Sequence, residues 1–127
     1  MRKYIYIGIG GFFGAIGRVL IRQAQLPGYH EQVPINTLFI NVLGSVLIGV
    51  IAEWFALKSH LPRHWQLFLA TGIMGGFTTF STFSLETAVL YERGRLDLAA
   101  LYVGASVMLS IGGLFAAMAA VRTLVRA

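Results

Sequence analysis

The chain contains no cysteine, which excludes disulfides, thiolate metal sites and cysteine nucleophiles together and leaves the redox compartment open. Charge is nearly as scarce. Only 12% of the 127 residues are Asp, Glu, Lys or Arg, about half the share in an ordinary soluble domain. Proline is confined to Pro27, Pro34 and Pro62, all in polar breaks, and nothing reads as a linker or a second domain. No carboxylate lies deep in an apolar segment, which removes the usual proton-coupling residue of a pump or exchanger. The histidines also sit in breaks. His60 and His64 have helical i, i+4 spacing, but Pro62 lies between them and no carboxylate joins in, so they suit a membrane interface better than a metal site.

What remains is hydrophobic: 57% of the chain, with a mean hydropathy of +0.74. Four apolar segments, residues 4–23, 35–52, 66–85 and 98–121, each approach the roughly 20 residues that a helix needs to cross about 30 Å of hydrocarbon, although the first carries Arg18. The expectation is an all-α membrane protein of four transmembrane helices in one domain over residues 1–127. The N-terminal Met1-Arg2-Lys3 followed by an apolar run imitates a secretory leader. Gly8, Gly10, Gly11, Gly14 and Gly17 suit close helix packing instead, with Gly10 and Gly14 as a small-xxx-small pair. A dinucleotide fingerprint is discarded there, because no soluble strand-helix-strand pattern surrounds those glycines.

The net charge of +5 does not imply nucleic acid, since the basic residues are spread through every break; anionic headgroups are the expected partner. If four spans alternate, one side of the membrane holds Arg2, Lys3, Lys58, Arg63, Arg122 and Arg126, and the other holds Arg18, Arg22, Arg93 and Arg95. That is a weak bias for a rule that normally fixes orientation. It permits insertion both ways and an antiparallel two-fold dimer, the two-chain equivalent of an inverted repeat.

Polar residues inside the apolar segments carry the functional signal. The run Gly75-Gly76-Phe77-Thr78-Thr79-Phe80-Ser81-Thr82-Phe83-Ser84 puts glycines and hydroxyls at membrane depth, where unpaired polar groups cost several kcal/mol. It reads either as a pore lining or as a helix contact whose hydroxyls bond back to their own backbone. Phe80 and Phe83, three apart, share a face; they read either as lipid-facing or core residues or as rings whose partially positive edges suit an anion. In the second segment Asn41 must bridge helices or line a cavity, and Ser45 with Gly49 forms another small-xxx-small step. In the fourth, Tyr102, Ser106 and Ser110 recur every four residues, stacking hydroxyls over about 12 Å of one helix face as a polar track, although a packing seam would equally explain the serines. Hydroxyls donate to anions and accept from cations, so the stripe does not choose the charge of a permeant ion. Glu86 is expected to close the third span at the membrane interface.

At these residues the chain resembles the Fluc/CrcB family of fluoride ion channels. The likeness is carried by Gly10-Gly11-Phe12-Phe13-Gly14-Ala15-Ile16-Gly17-Arg18, by Thr37-Leu38-Phe39-Ile40-Asn41-Val42-Leu43-Gly44, by Gly75 to Phe83 followed by Glu86, and by Tyr102 with Ser106 and Ser110. The resemblance implies a passive fluoride channel, not an enzyme, built as an antiparallel homodimer with two pores in the plasma (inner) membrane. Phe80 and Phe83 would offer ring edges to fluoride, Asn41 a donor, and Ser81, Thr82, Ser110 and Tyr102 a polar track that takes in Ser106. Arg18 would lend positive potential to a vestibule. The third helix would break near Gly75 to Thr79, and the carbonyls of Gly75 and Thr78 from both protomers would hold a structural sodium ion on the dimer axis. The rivals are a small-multidrug-type exporter, which would need a carboxylate in the first span, and a non-conducting membrane subunit, which would not need ordered hydroxyl and Phe tracks.

Overall fold

A computed structural model describes residues 2–23, 34–57 and 62–126; Pro27, Lys58 and His60 lie outside the described residues. The described residues are helical or in turns, without a strand. Helices α1 (Arg2–Gln23), α2 (Ile35–Leu57) and α6 (Leu96–Arg126) are each long and apolar enough to cross a membrane. They outrun the apolar segments because a helix does not stop where hydrocarbon does; α6, at 31 residues, is about 46 Å long. The third expected span is not one helix. It comprises α3 (Arg63–Gln66), a wide π-helical stretch (Leu67–Met74), the single turn α4 (Gly75–Phe77) and, after a gap, α5 (Ser81–Glu92).

The interruption falls at residues 78–80, at the late edge of the expected interval. Gly75 keeps helical torsions (φ −63°, ψ −39°), and the backbone leaves the helix only at Thr78 (φ −81°, ψ 161°). Of the two glycines before the break, Gly76 is required for space rather than torsion. A Cβ on Gly76 would lie 2.5 Å from the Gly11 carbonyl oxygen, so the backbones of α1 and the third segment touch there.

Close approach also sets the directions of the elements. Gly10 faces Phe68 and Gly72, Gly14 faces Ile73 and Phe77, and Tyr6 stacks on His64, so α1 runs parallel to the third segment. Gly113 meets Val46, Gly49 meets Leu114 and Ala117, and Glu53 meets Arg122, so α2 runs parallel to α6. The Asn36 amide donates to the Arg22 carbonyl at 2.9 Å, which fixes the start of α2 against the end of α1 and makes those two antiparallel. Of the two small-xxx-small pairs, Gly10 and Gly14 on α1 are both close contacts, and in the second it is Gly49 on α2 that is one.

Gly14→Ala is expected to cost about 1–3 kcal/mol, because its Cβ would collide with the Ile73 carbonyl and two backbones must part. Gly17→Ala is the control, since its Cβ would meet only the Phe77 ring at 3.7 Å. Thermal unfolding in detergent should separate the two variants; equal midpoints would refute the packing argument.

The hairpin between α5 and α6 turns on Gly94, whose φ of +78° is one that L side chains rarely adopt. The Arg95 N–H reaches Leu90 O at 3.1 Å and the Gly94 N–H reaches Tyr91 O at 3.0 Å, a Schellman closure of α5. The turn brings Tyr102 and Ala99 of α6 back against Leu90, and Phe83 packs on that cluster.

Candidate functional site

The break at 78–80 lies against the middle of α2, and Asn41 holds it there. The Asn41 Nδ2 donates to the Thr79 carbonyl at 2.9 Å, and the Thr79 N–H donates to Asn41 Oδ1 at 2.8 Å. Both amide atoms engage the backbone of one residue, which fixes the amide orientation and leaves one N–H of the pair free. Gly44, one turn along α2, has no side chain, and the Thr78 methyl occupies the position a Cβ would take. The Thr78 hydroxyl bonds back to the Met74 carbonyl at 2.9 Å, so for this residue the packing reading of the hydroxyl run holds.

Two backbone carbonyls lose their helical donors as a result. In a continuing helix the Thr79 N–H would serve Gly75 O, but it serves Asn41. The Thr82 N–H would serve Thr78 O, but it donates to Thr79 Oγ1 at 3.2 Å. Gly75 and Thr78 thus present hard carbonyl oxygens of the kind that suits a hard cation, and Gly75 is exposed on the single chain. No group of three or more His, Asp or Glu side chains able to hold a metal exists among the described residues.

Beside the break is a cavity of about 310 Å³. Asn41, Ser45, Thr78, Thr79, Ser106 and Ser110 form its polar wall, and Phe80 and Phe83 stand on the apolar one. Ser106 Oγ is buried with no hydrogen-bond partner in the protein, a costly arrangement unless the cavity supplies one. The Phe80 and Phe83 ring centroids are 5.6 Å apart, and Phe83 lies 5.2 Å from the Tyr102 ring, so three rings run from the cavity to α6. Tyr102 is 1% exposed, and its hydroxyl donates to Glu86 Oε1 at 3.2 Å.

The structure therefore gathers Asn41, Phe80, Phe83, Ser106 and Ser110 around one cavity, with Tyr102 one turn before Ser106. Ser81 and Thr82, in the first turn of α5, do not line it, and neither does Arg18, half-buried near the end of α1. Sequence reasoning missed Thr79 as the partner of Asn41 and treated Ser45 as packing, although Ser45 sits four residues from Asn41 on the same face. Two carboxylates take positions that the apolar segments did not specify. Glu86 lies on α5, which continues to Glu92. Glu53 lies inside α2, 7% exposed, paired with Arg122 at 3.0 Å; a buried carboxylate is retained there because α6 extends far enough to bring a guanidinium to it.

This scaffold has a counterpart. A family model described as "CrcB-like protein, Camphor Resistance (CrcB)" matches residues 5–120. The chain belongs to the CrcB family. Among its CrcB relatives, a protein from Granulibacter bethesdensis named "Fluoride-specific ion channel FluC" is 52% identical over 126 residues, 99% of each chain. A protein of the same name from Rhodopseudomonas palustris is 49% identical over 95% of this chain and 98% of its own. "Fluoride-specific ion channel FluC 2" from Nitrobacter hamburgensis is 46% identical, over 96% and 98%. These are names of channels, not of enzymes, and with its three long apolar helices this CrcB chain is a multi-pass membrane protein. Every residue of the cavity wall falls within the span matched by the CrcB model.

Proposed function

We propose that the protein is a fluoride-selective channel that lets cytoplasmic fluoride leave passively through the plasma (inner) membrane. The observation that carries this reading is the cavity beside the break, where the Asn41 amide, the unpartnered Ser106 hydroxyl, Ser110 and the Phe80 and Phe83 rings meet in a chain of this family. Fluoride is small and strongly hydrated, so a selective path must replace its water with several donors and exclude larger anions by width. Hydroxyls and an amide N–H are donors, and ring edges add partial positive charge without binding too tightly. Ser81, Thr82 and Tyr102 extend the polar path, and Arg18 draws anions toward its mouth.

The third segment is the fourth crossing of the membrane, made in pieces, and two such chains pair antiparallel to give two pores. Support for pairing comes from the break itself: Phe80 is 78% exposed on the single chain, and Gly75, five residues before it, is exposed as well. Both would be costly to leave unpartnered. The carbonyls of Gly75 and Thr78, with their counterparts in the second protomer, hold a sodium ion that stabilises the break. Their diverted helical donors make them fit for that ligand set. Exhaustive replacement of sodium by a large organic cation is expected to abolish fluoride flux, and restoring sodium to recover it. Full flux after verified depletion would remove the ion from the account.

An exporter of the small multidrug type is disfavoured, because α1 carries no carboxylate and the buried Glu53 is paired with a guanidinium. The discriminating experiment is fluoride efflux from liposomes with and without a proton gradient. A channel releases fluoride at the same rate in both, an exporter only with the gradient, and a non-conducting subunit in neither.

A further inference from the structure

A second cavity, about 320 Å³, lies at the end of the bundle where α1 begins, lined by Tyr6, His64, Trp65 and Phe68. Its walls are aromatic. Tyr6 and His64 stack with centroids 4.7 Å apart and planes 20° apart, and Trp65 meets Phe68 edge-on at 6.0 Å. Phe68 precedes the break by ten residues, about 15 Å of helix, so this slot is separate from the cavity described above.

Three cations stand close to it along the chain. Arg2 and Lys3 stand four and three residues before Tyr6, on the same helix face, and helical side chains lean toward the N-terminus, here toward water. Arg63 adjoins His64 at the start of α3. All three cations are exposed, and none is ion-paired among the described residues. Among the described residues, Glu53 is taken by Arg122 at 3.0 Å and Asp97 by Arg95 at 3.3 Å. An apolar ring-lined slot beneath unneutralised cations complements a molecule with an apolar body and an anionic head.

We infer that this slot binds one anionic phospholipid from the surrounding bilayer, its glycerol and upper acyl carbons against the rings and its phosphate held by Arg2, Lys3 and Arg63. The slot depth is set by Trp65 and Phe68, and the headgroup preference by the three cations. A zwitterionic lipid fills the same apolar space but brings its own cation to a site that already has three. This inference is independent of which ion the protein conducts.

The protein holds two tryptophans, Trp54 and Trp65, so Trp54→Phe leaves Trp65 as the sole reporter. That variant is reconstituted in phosphatidylcholine containing rising fractions of brominated phosphatidylglycerol or brominated phosphatidylcholine. Quenching of Trp65 is expected to reach half its maximum at an at least fivefold lower fraction of the anionic lipid. Combining Arg2→Gln, Lys3→Gln and Arg63→Gln should erase that difference. If both headgroups quench alike, or if the preference survives neutralisation of the three cations, the inference fails. Absence of quenching by either lipid overturns it too, because the slot is then covered by protein. Native mass spectrometry of the unmodified sequence, counting retained phosphatidylglycerol against phosphatidylcholine with and without the triple substitution, repeats the test without Trp54→Phe; equal retention overturns the inference.

Discussion

Asn41→Asp is expected to lower fluoride flux at least about 100-fold in a protein that still assembles, equivalent to roughly 2.7 kcal/mol. Two effects add. The substituted carboxylate keeps the acceptor for the Thr79 N–H but replaces the donor that holds the Thr79 carbonyl, leaving a half-buried acceptor facing another acceptor. Such a loss costs about 1–3 kcal/mol. A negative charge on the cavity wall then repels the anion that must pass. Asn41→Ala removes both hydrogen bonds without adding charge, so its smaller loss measures the clasp alone. Efflux from liposomes at equal incorporation gives the comparison, and unaltered flux in Asn41→Asp would exclude Asn41 from the path.

Phe83→Ile should reduce flux about tenfold or more while leaving the thermal midpoint nearly in place. Phe83 links Phe80, 5.6 Å away, to Tyr102, 5.2 Å away, and packs on the Leu90, Ala99 and Tyr102 cluster. Isoleucine preserves apolar volume there but has no positive edge to offer an anion. A fall in stability that accounts for the whole loss of flux would make Phe83 a packing residue only. Parallel measurement of efflux and unfolding separates the two roles.

Much of this was readable from residue order because membranes impose simple rules. The apolar segments gave the three long helices, and Gly10, Gly14 and Gly49 marked backbone contacts, since only small residues let helices approach so closely. The break was legible as a region but not to the residue. Gly75 and Gly76 suggested it by composition, whereas the constraint lies on Gly76 alone and is the nearness of Gly11, a tertiary fact without local signature. The Asn41 clasp joins positions 38 residues apart and the Glu53–Arg122 pair joins positions 69 apart, distances over which no sequence periodicity operates. Tyr102, Ser106 and Ser110 did share a face as their spacing required, yet only the fold distinguished the Tyr102 hydroxyl, satisfied by Glu86, from that of Ser106, which has no partner. The exposed Phe80 was legible as a residue of interest and not as one left outside a helix at the bend.

The most direct test of the central claim is the reversal potential of purified protein in a planar bilayer, with fluoride on one side, chloride on the other, sodium on both and no pH difference. A fluoride-selective pore predicts a current that reverses at a voltage set by the fluoride gradient and unmoved when a pH gradient is then imposed. Reversal near zero, with fluoride and chloride carrying comparable current, would contradict selectivity, and a potential that follows the pH gradient would contradict passive conduction.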